Sequence, residues 1–142
     1  MGRTTQASRV LIADSDPQLR QLLYSALLAG DVFSDCVSTV PDALEKLRTE
    51  QYGVILVDVS LPGGNAEEIV GAIASLGQLR RPVVLVLASN PASARSLDVD
   101  IVQIVLRKPL ALRQTVELIR SCVQSTALSV EDSDGESDHA IS

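Results

Sequence analysis

Three charged side chains follow apolar segments at spacings that could assemble a phosphate-handling site. Asp14 ends an apolar run at residues 9–14, Asp58 ends a second run at 53–58, and Lys108 follows a third at 101–106. Two neighbouring carboxylates repel each other unless a proton or a cation lies between them, and their hard oxygen atoms suit Mg²⁺. The set describes a phosphate-accepting site, with Asp58 as nucleophile, a divalent ion to neutralise charge, and Lys108 as phosphate clamp.

The chemistry requires a fold that brings these three positions together. Apolar runs at residues 9–14, 53–58, 83–87 and 101–106, with a weaker one at 32–39, alternate with segments of helical periodicity. The helical segments are expected at 17–30, from Pro41, at 66–76, around 92–97, and from Pro109 to about 125. Five strands alternating with five helices predict an α/β fold, a doubly wound parallel sheet whose active crevice lies at the carboxyl ends of the strands.

Each of the three residues also has a plain structural explanation. Asp14 could only help to start the following helix, Asp58 could only begin the turn at Leu61-Pro62, and Lys108 could only be a solvated residue before Pro109. Their order and their shared position at strand ends favour one common site.

Composition and charge limit the classes of protein to which the chain could belong. The 142 residues are 46% apolar with one Phe, two Tyr and no Trp, which predicts a single domain with an aliphatic core. The net charge of −6 argues against nucleic acid, whose phosphates attract clustered basic residues. No apolar stretch approaches the roughly 20 residues that span a bilayer, and residues 1–8 lack the apolar centre of a signal peptide, so we expect no membrane partner and a cytoplasmic location.

The two ends of the chain differ from its centre. We expect a flexible N-terminus at 1–8, a folded domain at 9–125, and an acidic disordered tail at 126–142. His139, the single histidine, falls in that tail and is not expected to be catalytic or to bind metal. Cys36 and Cys122 lack metal-binding spacing and are predicted to be small buried hydrophobic residues, without a disulfide or zinc site.

The motifs together resemble the receiver domain of bacterial two-component response regulators. The resemblance covers about residues 8–125 and rests on three segments: residues 10–17 (VLIADSDP), residues 57–62 (VDVSLP) and the pair Lys108-Pro109. It implies a flavodoxin-like five-stranded sheet in the order 2-1-3-4-5 and a possible cis peptide bond at Lys108-Pro109.

The resemblance also implies a function. Asp58 would be phosphorylated by a histidine kinase or a phosphotransfer protein, and Lys108 would clamp the phosphate. Mg²⁺ would be held by Asp14, Asp58, the backbone carbonyl of Ser60 and, less directly, Asp16. The domain would act by binding an unknown downstream protein and would not be an enzyme, apart from slow self-dephosphorylation.

Three positions depart from the family pattern. Ser15 replaces the second of two adjacent acids, one that ligates the metal, so we expect weakened Mg²⁺ binding, which Asp16 rescues only if it leaves its helix-capping role. Leu87 replaces the hydroxyl residue at the end of strand four, and Ser89 could substitute only after a register shift. Val105 replaces the aromatic residue of strand five. The segment before strand five also lacks the usual Gly-Ala pair.

These departures leave two readings of the chain. In the first it is a stand-alone receiver protein phosphorylated on Asp58, because only a tail follows residue 127. In the second it is a pseudo-receiver that docks its partners without phosphate. A third class, a small flavodoxin-like or phosphatase enzyme, is disfavoured because neither a phosphate-binding loop nor a cysteine nucleophile follows the first strand.

Overall fold

The structure, a computed structural model, describes the backbone of residues 9–139 and the side chains of residues 9–125. The N-terminal segment 1–8, predicted to be flexible, and residues 140–142 lie outside the described part. Within it the strands are β1 (Val10–Ala13), β2 (Ser34–Val37), β3 (Val54–Asp58), β4 (Val83–Ala88) and β5 (Val102–Arg107). The α-helices are α1 (Pro17–Ala29), α2 (Val40–Thr49), α3 (Ala66–Ala74) and α4 (Leu112–His139).

The five strands form one parallel sheet in the order β2-β1-β3-β4-β5. This confirms the predicted α/β class and the predicted strand order. All residues of β1 and β3 are buried, which explains why their sequences are continuous apolar runs without polar alternation. The outer strand β5 is the least buried of the five.

Each face of the sheet has its own aliphatic core. Helices α1 and α4 cover one face, where Leu23, Leu27 and Ile119 pack on alternate residues of β1, β3 and β4. Helices α2 and α3 cover the other face, where Ala43, Ile69 and Ile73 pack on the intervening strand residues. The alternation of side chains along each strand therefore divides the core into two layers.

Polar caps fix the beginnings of the first three helices. The Asp16 carboxylate accepts from Gln18 N before α1, and Thr39 Oγ1 accepts from Asp42 N before α2. Asn65 and Glu68 form a reciprocal capping box at the start of α3. The loops that follow β1 and β3 therefore end at defined points, Asp16 and Asn65.

The region around β5 corrects two predictions. Residues 9–139 form four α-helices where the sequence predicts five, because the segment between β4 and β5 forms only a 3₁₀ turn at Pro91–Ala94. That segment has too little helical periodicity to cover the sheet. The last helix begins at Leu112 and not at Pro109. The peptide bond between Lys108 and Pro109 is cis.

The last helix and the cysteines bear on two further predictions. Helix α4 extends from Leu112 to His139, and the disorder expected for residues 126–142 stays a prediction. Cys36 is exposed because it lies on the edge strand β2, and Cys122 is half-buried at the margin of the α1/α4 core, so neither is the fully buried residue expected.

Candidate functional site

The fold brings Asp14, Asp58 and Lys108 together at the carboxyl edge of the sheet. Asp14 follows β1, Asp58 ends the adjacent strand β3, and Lys108 follows β5. Lys108 Nζ lies 2.7 Å from Asp14 Oδ2 and donates a short hydrogen bond to Asp58 Oδ2. The side chains of Asp14, Asp58 and Lys108 are 0%, 5% and 20% exposed. One cation therefore lies between two buried carboxylates, as the strand ends predict.

Both carboxylate oxygens of Asp58 accept hydrogen bonds. Oδ1 accepts from the backbone N of Ser60 at 2.7 Å and from Ser60 Oγ at 2.6 Å, while Oδ2 accepts from Lys108. Burial alone would raise the pKa of Asp58, but the hydrogen bonds from Lys108 and Ser60 outweigh it and lower that pKa below its usual value. Asp58 is therefore an ionised carboxylate at neutral pH.

Lys108 is positioned by the backbone on either side of it. Its N donates to Ala88 O at 2.9 Å, which fixes it to the end of β4, and its peptide bond to Pro109 is cis. Burial would lower the pKa of Lys108, but Asp14 and Asp58 outweigh burial and raise it. The side chain is therefore a fixed positive charge at the mouth of the site.

The two carboxylate oxygens of Asp14 differ in their hydrogen bonding. Oδ1 accepts from Asp16 N at 2.9 Å, and Arg20 Nη1 donates to the Asp14 carbonyl at 2.8 Å, so the loop after β1 is held at two points. Oδ2 is buried and lacks a well-directed hydrogen bond, although it pairs with the Lys108 charge. Two buried carboxylates side by side, Asp14 and Asp58, are oxygen donors that fit a hard divalent cation such as Mg²⁺.

Of the predicted metal ligands, Asp16 does not join the other carboxylates. Asp16 is exposed, and its Oδ1 accepts from Gln18 N at 3.0 Å as the cap of α1, so it does not join Asp14 and Asp58. Ser15 is exposed and neutral. In the part of the chain that the structure describes, no three Asp, Glu, His or Cys side chains form a metal-binding group. The donors fit Mg²⁺ through two carboxylates.

The two other departures lie where the sequence places them. Leu87 pairs with Asp58 in the sheet and is fully buried in the α1/α4 core, so no register shift brings Ser89 into its place. Ser89 is exposed and lines a cleft beside Lys108. Val105 is 39% exposed on β5. The end of β4 therefore has a buried aliphatic side chain at the position where the family pattern has a hydroxyl residue.

The cleft beside Lys108 was not predicted. It has a volume of about 420 Å³ and is lined by polar residues from the site and apolar residues from α1 and the segment after β5: Asp16, Gln18, Leu19, Leu22, Ser89, Lys108, Pro109 and Leu110. Sequence reasoning also missed the Ser60 hydroxyl and Arg20. The Asp-x-Ser spacing after a strand could have indicated the role of the Ser60 hydroxyl, because such turns bring a hydroxyl back to the carboxylate.

Comparison with known proteins identifies the family. Residues 10–120 match the family described as "Response regulator receiver domain", which is well over half of the chain. The chain belongs to this family. The receiver is 26% identical over 125 residues to the transcriptional regulatory protein TctD of Salmonella typhimurium (strain LT2), a match that covers 87% of this chain and 55% of TctD. It is 31% identical over 67 residues to the response regulator protein FleR of Pseudomonas aeruginosa, covering 47% of this chain and 14% of FleR.

Solved structures share the fold of this receiver. The CheY-like receiver domain protein from Methanospirillum hungatei JF-1 has a TM-score of 0.71 at 18% identity, covering 85% of this chain and 97% of that one. The response regulator TrrA from Thermotoga maritima, described in complex with Mg²⁺-BeF, has a TM-score of 0.67 at 22% identity, covering 80% and 97%. At these identities the likeness concerns the fold. Among the described residues of the receiver, no helix is apolar and long enough to cross a membrane.

Proposed function

We propose that this receiver accepts a phosphoryl group on Asp58. The observation that carries the proposal is the state of the Asp58 side chain, a buried carboxylate kept ionised by Lys108 and Ser60. The Lys108 that bonds it also lines an open cleft, so an approaching phosphoryl group meets a positive charge first. Buried ionised carboxylates held next to a cleft are typical of functional sites.

In the proposed step the phosphoryl group moves from an oxygen or nitrogen atom of the donor to a carboxylate oxygen of Asp58. An oxygen of Asp58 forms a bond to phosphorus, the bond from phosphorus to the donor's leaving atom breaks, and that atom keeps the electron pair and takes a proton. Lys108 exchanges one of its two carboxylate partners for a phosphoryl oxygen, and Ser60 continues to orient Oδ1 of the carboxyl group. The chain's own residues thus supply the nucleophile, its orientation and one positive charge.

Mg²⁺ would be held by Asp14 and Asp58, with the Ser60 carbonyl as a further oxygen ligand. When bound, the ion neutralises charge on the transferred phosphoryl group. Asp14 Oδ2 is the ligand atom that the structure leaves without a directed donor, which favours this placement. Because Ser15 supplies no charge, we expect the affinity for Mg²⁺ to be weaker than in a site with three acids.

The phosphodonor in this proposal is a histidine kinase or a phosphotransfer protein. The cleft beside Lys108 is flanked by Leu19, Leu22 and Leu110, and Leu22 is 53% exposed, so an apolar helix of the donor could pack there while its phosphohistidine reaches Lys108. The output would be protein binding and not catalysis. The chain spans about half the length of the curated relative TctD, so any further activity of those whole proteins is not carried over.

A second candidate, the phosphate-independent pseudo-receiver, is favoured by Leu87. Its side chain is fully buried among aliphatic residues and gives the end of β4 no hydroxyl to follow a phosphoryl group. Val105, which is exposed on β5, provides no aromatic ring that could respond to a phosphoryl group. In that case Lys108 serves only to neutralise Asp14 and Asp58, and the receiver contacts its partners in one fixed conformation.

Intact-mass spectrometry separates the two candidates. The purified chain is incubated with a small phosphodonor such as acetyl phosphate, with and without Mg²⁺, next to Asp58→Asn and next to Asp31→Asn, which changes an exposed acid far from the site. A phosphoryl mass on wild type and Asp31→Asn but not on Asp58→Asn, and dependent on Mg²⁺, supports the phosphoacceptor. No adduct on the folded wild type, while a known receiver labels normally, supports the pseudo-receiver.

A further inference from the structure

Strand β2 is an edge strand, and part of its backbone faces away from the sheet. It pairs with β1 on one side, and no strand among the described residues pairs with its other side. Asp14 N donates to Val37 O, so the backbone groups of Val37 point towards β1. Because these groups alternate between the two sides of a strand, the N–H and C=O groups of Ser34 and Cys36 point outwards. Such an edge is a template for a further strand.

A cleft of about 550 Å³ lies between this edge and helix α1. Ser34 and Cys36 line it, because they are in register with Val10 and Ile12, whose side chains belong to the α1/α4 core. The Ser34 hydroxyl is buried and has no hydrogen-bond partner among the described residues, and the side chain is only 8% exposed. Since a buried hydroxyl without a partner is costly, its position in the cleft wall favours a polar ligand there.

The two ends of the cleft differ in chemistry. Arg20 and Tyr24 line it from α1, and Tyr24 is 39% exposed. Burial raises the pKa of the Cys36 thiol, and the positive charge of Arg20 acts against this rise, so the guanidinium lies towards the Cys36 end. The Asp35 carboxylate does not cancel this charge, because it accepts from Tyr52 Oη at 2.6 Å on the other face of the sheet.

The spacing of the two α1 side chains matches that of a strand. Arg20 and Tyr24 are four residues apart on the helix, which corresponds to a rise of about 6 Å. Residues two positions apart on one face of a strand are separated by roughly 6.7 Å. A strand added along β2 could therefore direct one side chain to Arg20 and the next on the same face to Tyr24.

We propose that the β2 edge and the α1 cleft bind an extended segment of a partner protein that carries an acidic and an apolar side chain two positions apart. Its backbone pairs with the outward groups of Ser34 and Cys36, the acid meets Arg20, and the apolar side chain packs on Tyr24. Strand addition gives affinity through the main chain, and the pockets for alternate side chains give specificity. The proposal is independent of phosphorylation of Asp58.

A second copy of β2 is a poorer occupant than such a segment. The strand has the sequence Ser34–Val37 with a single acid, Asp35, at its centre. In an antiparallel pair centred on this residue the two carboxylates would lie directly opposite each other, which is destabilising. The charge of Arg20 in the cleft instead favours a partner that brings its own acid.

Nuclear magnetic resonance of the full chain with two synthetic peptides tests the proposal. The probes are the end-blocked pentapeptides Thr-Glu-Thr-Val-Thr and Thr-Val-Thr-Glu-Thr, which serve the two possible directions of the added strand. We expect one of them to shift the amide resonances of Ser34 and Cys36 and to slow their hydrogen exchange. The amides of Asp35 and Val37, which face β1, are the internal control and should gain no protection.

Variants separate the backbone contribution from the charge. Cys36→Pro removes one outward N–H without removing a bond to β1 and should abolish binding, whereas Cys36→Val keeps the N–H and should retain it. Replacing Glu by Lys in the peptide should weaken binding on the order of fivefold, and Arg20→Glu should reverse this preference. Circular dichroism establishes that each variant is folded.

Three results would each overturn the proposal. The first is an absence of shifts at Ser34 and Cys36 with either peptide at millimolar concentration. The second is binding that Cys36→Pro leaves unchanged in a folded protein. The third is equal affinity of wild type for the Glu and Lys peptides, which would remove Arg20 from the site.

Discussion

The ammonium group of Lys108 lies 2.7 Å from Asp14 Oδ2 and at the same time donates to Asp58 Oδ2. One positive charge thus balances two buried negative charges that come from neighbouring strands. Removing it would leave two carboxylates side by side in a poorly solvated site, where both cannot stay ionised without a large free-energy penalty. The lysine therefore affects folding stability as well as any phosphate chemistry.

The first prediction concerns this charge balance. Lys108→Met should lower the free energy of unfolding at pH 7 by about 2 to 3 kcal/mol, somewhat less than for a fully buried pair because Lys108 is 20% exposed. Adding Asp14→Asn to that variant should recover a large part of the loss, since a single buried carboxylate remains. Urea unfolding measures both values, with Lys46→Met on α2 as the matched control. A loss no larger than that of the control would show that the triad contributes nothing.

The second prediction concerns pH. The pKa of Asp58 is lowered in the folded protein, so its contribution to stability is present above the ordinary carboxyl pKa and is lost as pH falls through the folded value. The free energy of unfolding of wild type should therefore decrease more steeply below about pH 4 than that of Asp58→Asn. Urea unfolding between pH 7 and pH 3 gives both curves. Parallel curves would mean that Asp58 has the same pKa in the folded and unfolded chain.

The third prediction concerns the metal site. Ser15→Asp should tighten Mg²⁺ binding on the order of tenfold or more, because a third carboxylate would adjoin Asp14 and Asp58. Isothermal titration calorimetry measures the affinity, and Ser25→Asp on the exposed face of α1 adds the same charge away from the site. Equal affinities for the two variants would place the ion somewhere other than beside Asp14.

The fourth prediction concerns the end of β4. Leu87→Thr puts a hydroxyl group into an aliphatic core and removes volume, so it should lower the free energy of unfolding by about 2 to 3 kcal/mol. Leu87→Val, which lacks the hydroxyl, should cost about 1 kcal/mol. Thermal and urea unfolding compare the two. If both variants were equally stable, the threonine hydroxyl of Leu87→Thr would have found a hydrogen-bond partner. The end of β4 would then be more polar than the structure shows.

The sheet was predictable because its strands are buried on both faces. Uninterrupted apolar runs at β1, β3 and β4 identify central parallel strands, and alternation with helical segments then leaves few topologies. The site residues were predictable because each comes at or just after the end of a strand: Asp14, Asp58 and Lys108. The family resemblance, and not periodicity, supplied the strand order.

Other features depend on contacts that a sequence does not display. The Ser60 hydroxyl donates to Asp58 from the loop after β3, and Arg20 donates to the Asp14 carbonyl from the first turn of α1; neither stands at a strand end. The predicted helix before β5 is missing because the segment between β4 and β5 has only a weak helical pattern. Cys36 was misjudged because apolar neighbours do not reveal that β2 is an edge strand.

Locating the phosphoryl group by chemical reduction tests the central claim most directly. After incubation with acetyl phosphate and Mg²⁺, borohydride converts an aspartyl phosphate to homoserine, and peptide mass mapping identifies the residue that has changed. Phosphorylation as proposed gives homoserine at position 58 and nowhere else, with none formed when Mg²⁺ is omitted. Homoserine at Asp14 or Asp16, or no reduction product from a folded sample, would contradict the assignment of Asp58 as the phosphoacceptor.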